Sequence, residues 1–433
     1  MISEKRNVPK LRFEGLTTPW KRISLGNISR LITKGTTPKQ FIEGDVVYVK
    51  IESLNGHVIE RRQCASIDES THLKELKRSI LEEDDILFAI AGATVGKIGV
   101  VQKEILPANT NQALAIIRLS NKEAVNFIFQ ILTSRVMKNY IYESVSVGAQ
   151  PNLSLKQISD FTFFVPSLPE QQKIAEFLTA VDKRIALLEQ KKEKLESYKK
   201  GVMQQLFPST GSGQVPKIRF KQDDGSEFPD WEEKKLGEIY EFRTTNSFSR
   251  EKLNYESGEF RNIHYGDIHT KFPTLLDLEQ VNLPFVNDDV EIRKTVSENL
   301  VEAGDLVIAD ASEDYADIGK TIEVINVKEQ RVLSGLHTLH AKRSQTNIQV
   351  GFGGYLMKSE GIRSQVKKIA QGTKVLSISV ARMRELSLSL PCLEEQKKIV
   401  QFLTGLDRNM ENLNQQINQT QTWKKGLLQK MFV

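Results

Sequence analysis

The feature that most constrains the fold is an internal repeat. Residues 170–207 read EQQKIAEFLTAVDKRIALLEQKKEKLESYKKGVMQQLF, and the pattern returns without a gap at 395–432 as EQKKIVQFLTGLDRNMENLNQQINQTQTWKKGLLQKMF. Identical pairs include Pro166/Pro391, Glu170/Glu395, Phe177/Phe402, Asp182/Asp407 and Gly201/Gly426. A repeat of this kind indicates that one structural plan is used twice in the chain.

Each copy predicts a long helix with an apolar seam. No Pro or Gly interrupts 170–200, and apolar residues recur at sevenfold spacing, at Ile174, Val181, Leu188, Leu195 and Val202. That spacing is typical of a helix that packs along another helix. A helix of this length spans roughly 57 Å, too far to bury its seam in one small domain. The simplest partner is the other copy, and the alternative is two unrelated, largely solvated helices.

The repeat extends beyond the helices. PKLRF at 9–13 returns as PKIRF at 216–220, and Trp20 and Trp231 precede Leu-Gly pairs at the same spacing. Short apolar runs predict strands at Val46–Ile51, Ile86–Ile90, Ile98–Val101, Ala113–Leu119, Phe260–His264, Leu306–Ile308, Thr321–Ile325 and Leu336–His340. Helices are expected at about Ala124–Tyr140 and Phe352–Ile369. The class is therefore α+β, ordered as globular head, long helix, head, long helix.

Antiparallel pairing of the two helices would make the plan cyclic. The second helix would return to the first head, and Met1 and Val433 would lie close together about a pseudo-twofold axis. The two heads share their apolar frame but few other residues. Equal frames with divergent surfaces predict two related binding heads held at a fixed distance.

Composition sets limits on the class of protein. The chain has 433 residues, 39% hydrophobic and 27% charged, and a net charge of +5. No long apolar run or signal peptide is evident, so we expect a cytoplasmic protein without a membrane span. Cys64 and Cys392 are the two cysteines, which argues against a disulfide or metal role. The charge is compatible with nucleic acid but does not establish it.

The whole arrangement closely resembles the specificity subunit of type I restriction–modification enzymes. The most specific parts are PSLPEQQKIAEFLTAVD and LPCLEEQKKIVQFLTGLD, each closing a head and opening a long helix. The resemblance implies two tandem globular target recognition domains joined by two long antiparallel coiled-coil helices in a pseudo-twofold cyclic repeat. Each domain would read one half of a split double-stranded DNA target. The helices would set the spacer and dock two modification (methyltransferase) subunits, which restriction (translocase/endonuclease) subunits join. The subunit itself would be noncatalytic and without cofactor.

The expected boundaries follow the repeat. They are 1–165 for the first target recognition domain, 166–207 for the first spacer helix, 208–216 for a linker, 217–390 for the second domain and 391–433 for the second helix.

Candidate DNA contacts in the first head centre on a polar loop. Lys34, Thr36, Thr37 and Lys39 supply hydroxyls and cations suited to phosphate, although a solvated turn is the alternative. Tyr48, Lys50 and Glu52 alternate on a predicted strand and align loosely with the region of His264, Gly266 and Ile268. Lys50 could serve guanine or phosphate. Gln150 lies in a small polar loop, GAQ, before the closing strand.

The second head offers a corresponding set. Arg243, Thr244, Asn246 and Arg250 lie in one loop, and Arg and Asn are residue types that read guanine and adenine. His264 and Tyr265 follow in the next segment. Lys374, in the loop GTK, corresponds to Gln150.

Matching polar residues on the two helices are candidates for subunit docking, with helix packing alone as the alternative. They are Glu170, Gln171, Lys199, Lys200, Glu395, Gln396, Lys424 and Lys425.

Three motifs are rejected as catalytic or metal sites. Gly92–Lys97 has three residues between its glycines and lacks a following Ser or Thr, so it is interpreted as a strand turn rather than a phosphate loop. Asn282–Phe285 lacks a proline expected of adenine methyltransferases. His337 and His340 would face opposite sides of a strand, so no metal site is predicted.

Two other functional classes are considered. One is a two-headed protein-interaction scaffold with a coiled-coil spacer, which exposed aromatic and aliphatic loops would favour. The other is an enzyme with a fused recognition module, for which the repeat leaves no separate catalytic domain. Loops dominated by Arg, Lys, Asn and Thr favour DNA.

Overall fold

The computed structural model describes residues 8–144, 151–208, 215–344 and 347–433, and of Glu123 the main chain only. The chain divides into two compact units. The first unit comprises residues up to Gln190 together with Leu413–Val433, and the second comprises Lys191–Asn412. Each unit therefore contains one head and one half of each long helix. Met1, Gln150 and most of the predicted linker, residues 209–214, lie outside the described residues.

In each unit, the first strand of the head pairs with the last strand before the long helix. In the first unit, strand Lys21–Ser24 pairs antiparallel with Thr162–Val165, the last strand before the long helix. In the second unit, Glu232–Lys235 pairs with Ser387–Leu390 in the same way. A one-turn helix follows each opening strand, at Leu25–Ile28 and Leu236–Ile239.

The repeated Leu-Gly pair has a packing reason. A Cβ on Gly26 would lie 2.2 Å from Ser159 Oγ, and one on Gly237 would lie 2.9 Å from Arg384 Cβ. Only glycine lets each one-turn helix approach its neighbouring helix this closely. Those neighbours are the short helices Leu155–Asp160 and Val380–Arg384.

The first unit has a central antiparallel sheet that is buried on both faces. Its strand order is Ser29–Lys34, Leu114–Leu119, Ile86–Ala89 and Ile98–Val100. Phe88 and Ile117 face one core cluster with helix Val125–Thr133. Leu87 and Ile116, one residue out of phase, face a second cluster with the sheet formed by Ala65–Ile67, Val46–Val49 and Ala108–Thr110. The near-continuous apolar runs in these strands reflect this double burial.

The second unit repeats the plan with additional strands. Its central sheet runs in the order Tyr240–Arg243, Thr338–Arg343, Leu306–Ala309, Thr321–Asn326 and Leu275–Asp277. A second sheet has the order Leu253–Asn254, Phe285–Val286, Phe260–Ile263 and Arg331–Ser334. Apart from the two long helices and single turns of 3₁₀ or π helix, the remaining strands and helices of the described residues are Leu54–Asn55, Val58–Ile59, Ala311–Ser312, Leu376–Ser377, Arg135–Ser144, Tyr265–Thr270, Lys294–Ser297, Phe352–Lys358 and Glu360–Ile369.

Several predicted bounds differ from the structure. The two predicted pre-closure helices are each divided, at Ser134 and Ser359, where the backbone is extended with ψ of 174° and 149°. The Ser134 hydroxyl accepts a hydrogen bond from the Val136 N–H at 3.2 Å, which favours a new helix start over continuation. The strand predicted to reach Ile51 ends at Val49, and the one predicted at Leu336–His340 is Thr338–Arg343.

The long helices extend over Leu168–Leu206 and Leu393–Met431, and within each unit they pair antiparallel. In the first unit, Lys424 Nζ lies 2.5 Å from Asp182 Oδ1, and Gln421 donates to Glu189 at 3.3 Å. Residue numbers therefore increase along one helix in the direction in which they decrease along the other. The predicted seam is confirmed, because Ile174 and Val181 pack with Leu427 and Met431. No helix in the described part of the chain is long and apolar enough to cross a membrane.

A buried ion pair fixes the start of each long helix. The Arg12 guanidinium donates to both carboxylate oxygens of Glu170 at 2.7 Å, and the Trp20 indole N–H donates to the same carboxylate at 3.3 Å. Hydrogen bonding to Glu170 raises the pKa of Arg12, so the cation persists at any working pH. We call this group, together with its counterpart in the second unit, the helix-start clamp.

The second unit contains the same clamp. Arg219 donates to Glu395 at 3.1 and 2.7 Å, and Trp231 donates to Glu395 at 3.1 Å. Both glutamate side chains are only 1% exposed. The repeated PKLRF/PKIRF, Trp and Glu residues are therefore parts of one contact.

The arms that carry these arginines also bind the end of the opposite long helix. Leu11 N–H donates to Lys430 O at 2.9 Å in the first unit, and Ile218 N–H donates to Gln205 O at 3.2 Å in the second. Each arm thus joins the start of one long helix to the end of the other, as a cyclic repeat requires.

Removal of the clamp carboxylate should destabilise the protein strongly. In Glu395→Ala, Arg219 keeps its charge while its side chain is only 12% exposed, and breaking such a pair costs about 3–5 kcal/mol. Urea unfolding followed by tryptophan fluorescence should show a loss of this size.

Glu394→Ala is the matched control, because Glu394 is exposed in the same helical turn and a surface substitution changes stability by about 0.5 kcal/mol or less. Equal losses in the two variants would contradict the role of the clamp.

Candidate nucleic-acid interface

Equivalent positions in the two units can be assigned from main-chain hydrogen bonds. Thr36 N–H donates to Thr110 O at 2.9 Å, and Asn246 N–H donates to Ser334 O at 3.1 Å. In the parallel strand pairs, Thr110 lies opposite Val49 and Ser334 lies opposite Ile263. Lys50 is therefore equivalent to His264, and Tyr48 to Asn262.

This equivalence corrects the sequence alignment by two residues. The strand ends at Val49, so Lys50 and Glu52 do not alternate along it. Instead Lys50 precedes a turn of helix at Ile51–Ser53, as His264 precedes Tyr265–Thr270. Tyr48 is buried, and its hydroxyl donates to Thr36 O at 3.0 Å.

The first loop presents its cations to solvent. Lys34, Thr37 and Lys39 are exposed, and Thr36 is half-buried. The Thr37 hydroxyl donates to Gln112 Oε1, and the Lys39 N–H donates to Glu75 Oε1 at 2.7 Å, so the loop backbone is held while both ammonium groups extend outward. An ordered loop with exposed ammonium groups and hydroxyls suits phosphate contact.

Lys50 lies beside this loop. Its ammonium nitrogen is 5.4 Å from the centroid of the Phe41 ring, and Phe41 is 47% exposed. The pair presents a cation beside an exposed aromatic ring, and the cation is suited to contact with a DNA phosphate.

In the second unit, Asn246 holds the loop and does not face solvent. It is buried, and its amide donates to Asn262 Oδ1 at 2.7 Å and to Ser334 O at 3.0 Å. Its Oδ1 accepts from Phe248 N–H at 3.1 Å. With both ends of the amide occupied, Asn246 is not available to read adenine in this conformation. Thr244 beside it is exposed, and Arg243 is half-buried with its guanidinium 2.5 Å from Glu241.

Arg250 closes this loop onto the following helix. Its guanidinium donates to both oxygens of Asp267 at 3.0 and 2.8 Å, and Lys271 lies 3.0 Å from the same carboxylate. Burial alone would raise the pKa of Asp267, but the hydrogen bonds from Arg250 and Lys271 outweigh it and lower that pKa. One carboxylate with two cations leaves a net positive charge at the surface.

His264 and Tyr265 form an aromatic cluster next to Arg250. His264 is buried, and its Nδ1 accepts from Gly266 N–H at 3.1 Å. Burial, and then the charge of Arg250, lower the pKa of His264, so it is neutral at pH 7. The half-buried Tyr265 ring lies 4.8 Å from the His264 ring and 5.3 Å from the His337 ring.

Lys374 lies at the exposed tip of a hairpin beside this cluster. Gln371 and Ser377 exchange main-chain hydrogen bonds at 3.0 and 2.7 Å, and Ser377 pairs with Ala311. Asp310, the preceding residue, donates its N–H to His337 O at 3.1 Å and accepts from Ile378 N–H at 2.9 Å. These contacts link the base of the hairpin to the Tyr265 cluster through Asp310 and His337, so the hairpin and the cluster belong to one connected region of the second unit.

The rejected motifs have structural roles. Gly92–Thr94 forms a tight turn after the central strand, and Lys97 Nζ donates to Glu52 O at 3.3 Å. His340 is buried against Asp305 at 2.9 Å, and His337 lies 3.3 Å from Asp310. Asn282 accepts from Arg261 at 2.8 Å. Among the described residues, no group of three or more His, Cys, Asp or Glu side chains could hold a metal ion.

Most of the candidate docking residues have contacts inside their own unit. Glu170 and Glu395 belong to the helix-start clamp. Gln171 and Gln396 donate to Pro166 O and Pro391 O at 3.0 and 2.8 Å. Lys424 and Lys199 pair with Asp182 and Asp407. For these six residues the contacts are those of the helix-packing alternative, and Lys200 and Lys425 are the two that are exposed.

Sequence reasoning missed three surface features. Tyr198 and Trp423 are 54% and 52% exposed at equivalent positions of the two long helices. Val375, at the hairpin tip, is 53% exposed. Tyr198 and Trp423 could have been found from the repeat, because both copies have an aromatic residue at the same position outside the apolar seam, where helix pairing does not require one.

Comparison with known proteins agrees with this architecture. A model of the type I restriction modification DNA specificity domain matches residues 18–197 and again 229–421. The specificity subunit of the type I restriction enzyme MjaVIII from Methanocaldococcus jannaschii is 25% identical, over 96% of this chain and 92% of its own length.

Two solved structures share the fold. One is the S subunit of a type I restriction-modification system from M. genitalium, with a TM-score of 0.54 and 15% identity over 98% of this chain and 99% of that one. The other is a chain from a study of the assembly and conformational transition of a type I R-M system, with a TM-score of 0.55 and 16% identity over 97% and 99%. The chain therefore belongs to the type I restriction–modification DNA specificity family, as a specificity subunit built from two copies of that domain.

Proposed function

We propose that each head reads one half of an asymmetric, bipartite DNA target. The heads are residues 1–165 and 217–390, and the helices between them set the spacing of the half-sites. As a specificity subunit, the chain is the noncatalytic, DNA-recognising component of a larger complex.

The observation that carries the proposal is the difference between equivalent positions. The two heads match in strand pairing, in the attachment of the first loop and in the helix-start clamp. At equivalent positions, however, the first head has Lys50 and Thr36 where the second head has His264 and Asn246. Identical scaffolds that present different side chains are suited to different half-sites. A two-headed protein scaffold is not favoured, because both matched segments belong to a DNA specificity domain.

The partners in this proposal are two modification (methyltransferase) subunits, which restriction subunits join. The docking surface includes Lys200 and Lys425, with the exposed Tyr198 and Trp423 two residues earlier on each helix. Duplication of this surface at equal repeat positions supports two identical partners.

Neutralising the first loop should weaken DNA binding without changing the second half-site. Lys34→Ala combined with Lys39→Ala removes two phosphate contacts, and the slope of log K against log salt should fall by about 2. The measurement is a salt titration of duplex binding by the complex with its methyltransferase.

The control is Lys103→Ala. Lys103 is exposed and precedes strand Ala108–Thr110, whereas the Lys34 loop attaches at the far end of that strand. An unchanged slope in the double variant, or an equal change per lysine in the control, would count against the proposed contact.

Lengthening both long helices should change only the length of DNA between the two half-sites. One heptad inserted after Leu188 and another after Leu413 keep the seam in phase. Both insertions fall between the pairs Asp182–Lys424 and Lys199–Asp407, so those pairs are retained. Target mapping should give the same two half-sites with a gap longer by about three base pairs, because seven residues add roughly 10 Å to each helix and one base pair of DNA occupies about 3.4 Å. An unchanged gap in a folded variant would refute the spacer role.

A further inference from the structure

We propose that the hairpin Gln371–Ser377 is a rigid reading finger that places the Val375 side chain against the 5-methyl group of a thymine in the second half-site. This inference rests on the proposed function of the second head and identifies one chemical feature of the DNA that it reads.

The hairpin is fixed at its base and exposed at its tip. Its base has the two Gln371–Ser377 main-chain bonds and the pairing of Leu376 and Ser377 with Ser312 and Ala311. Side chains in the ascending strand alternate, with Leu376 and Ile378 buried at 9% and 5% exposure. Val375 points the other way and is 53% exposed, beside exposed Thr373 and Lys374.

Glycine at the turn makes this geometry possible. Gly372 has a φ of +121°, and a Cβ there would lie 2.0 Å from Val375 O. The turn therefore brings the backbone of residue 372 against residue 375 and sets the direction of the tip. A preorganised tip loses little conformational entropy on binding.

The chemistry of the tip fits the edge of a base pair. The thymine methyl is the apolar group of the major groove, and short apolar side chains contact it. Lys374, the neighbouring residue, can bind guanine O6 and N7 or a phosphate. The base of the hairpin is linked to Tyr265 through Asp310 and His337, and Lys374 next to Val375 is itself a candidate DNA contact.

Deoxyuridine substitution tests the inference at the level of one methyl group. In duplexes carrying the mapped target, each thymine of the second half-site is replaced in turn by deoxyuridine, and binding by the complex is measured. We expect one position at which the wild type binds about threefold to fivefold more weakly, which is the value of one buried methyl group. Val375→Ala should bind thymine and deoxyuridine duplexes equally at that position.

Two further variants make the result specific. Val58→Ala removes a side chain of similar exposure, 55%, in the first unit, and it should retain the full deoxyuridine penalty. Gly372→Ala redirects the tip and should abolish that penalty as Val375→Ala does. If the wild type reads both half-sites but Val375→Ala still binds the deoxyuridine duplex more weakly than the thymine duplex, the proposed contact of Val375 is wrong and the proposed function stands. If the wild type does not discriminate the mapped target from other duplexes, the proposed function itself fails.

Discussion

The structure depends on a carboxylate buried at the first turn of each long helix. Glu170 and Glu395 each accept hydrogen bonds from an arginine on a preceding arm and from a tryptophan at the start of a head. A charge in this position is costly unless it is fully paired, so arm, head and helix must be present together. A glutamate near a helix N-terminus is also favoured by the helix dipole. The clamp therefore couples three sequence-distant segments in each unit.

Because the clamp occurs twice, the two heads are mounted in the same way on their helices. The same relation appears where Asp182 pairs with Lys424 and accepts from Gln130, while Asp407 pairs with Lys199 and accepts from Tyr355. The aspartates and lysines of these contacts are identical in the two copies, whereas Gln130 and Tyr355 occupy equivalent positions with different side chains. The loops attached to the frames are free to differ, and this separation lets one scaffold present two unlike sets of candidate DNA contacts.

The sequence predicted the scaffold shared by the two units well, but it predicted the roles of polar side chains poorly. The long paired helices could be predicted from the sevenfold apolar spacing and the ungapped repeat, because both patterns arise from packing contacts that recur along the chain. The breaks at Ser134 and Ser359 were missed, since a single serine gives a weak local signal between two segments that each have a helical pattern.

The role of a polar side chain depends on its partner, and the partner is often far away in the sequence. Asn246 was expected to read adenine, but Asn262 and Ser334 occupy its amide. Glu170 and Gln396 matched across the repeat because they stabilise the fold, although the match was interpreted as a docking surface. For six of the eight docking candidates, repetition in both copies therefore indicated internal structure, whereas the candidate reading residues are those that differ between copies.

Reading of two different half-sites by two equivalent heads, for one methyltransferase, is the main feature of the proposed function. It is tested most directly by mapping N6-methyladenine across the genome of a host that carries the partner methyltransferase, with and without this chain. We expect a split, asymmetric motif that disappears on deletion. Only one half of this motif should change when the second head is replaced by that of a relative. A methylation pattern that is unchanged by deletion, in a host whose methyltransferase is active, would contradict it.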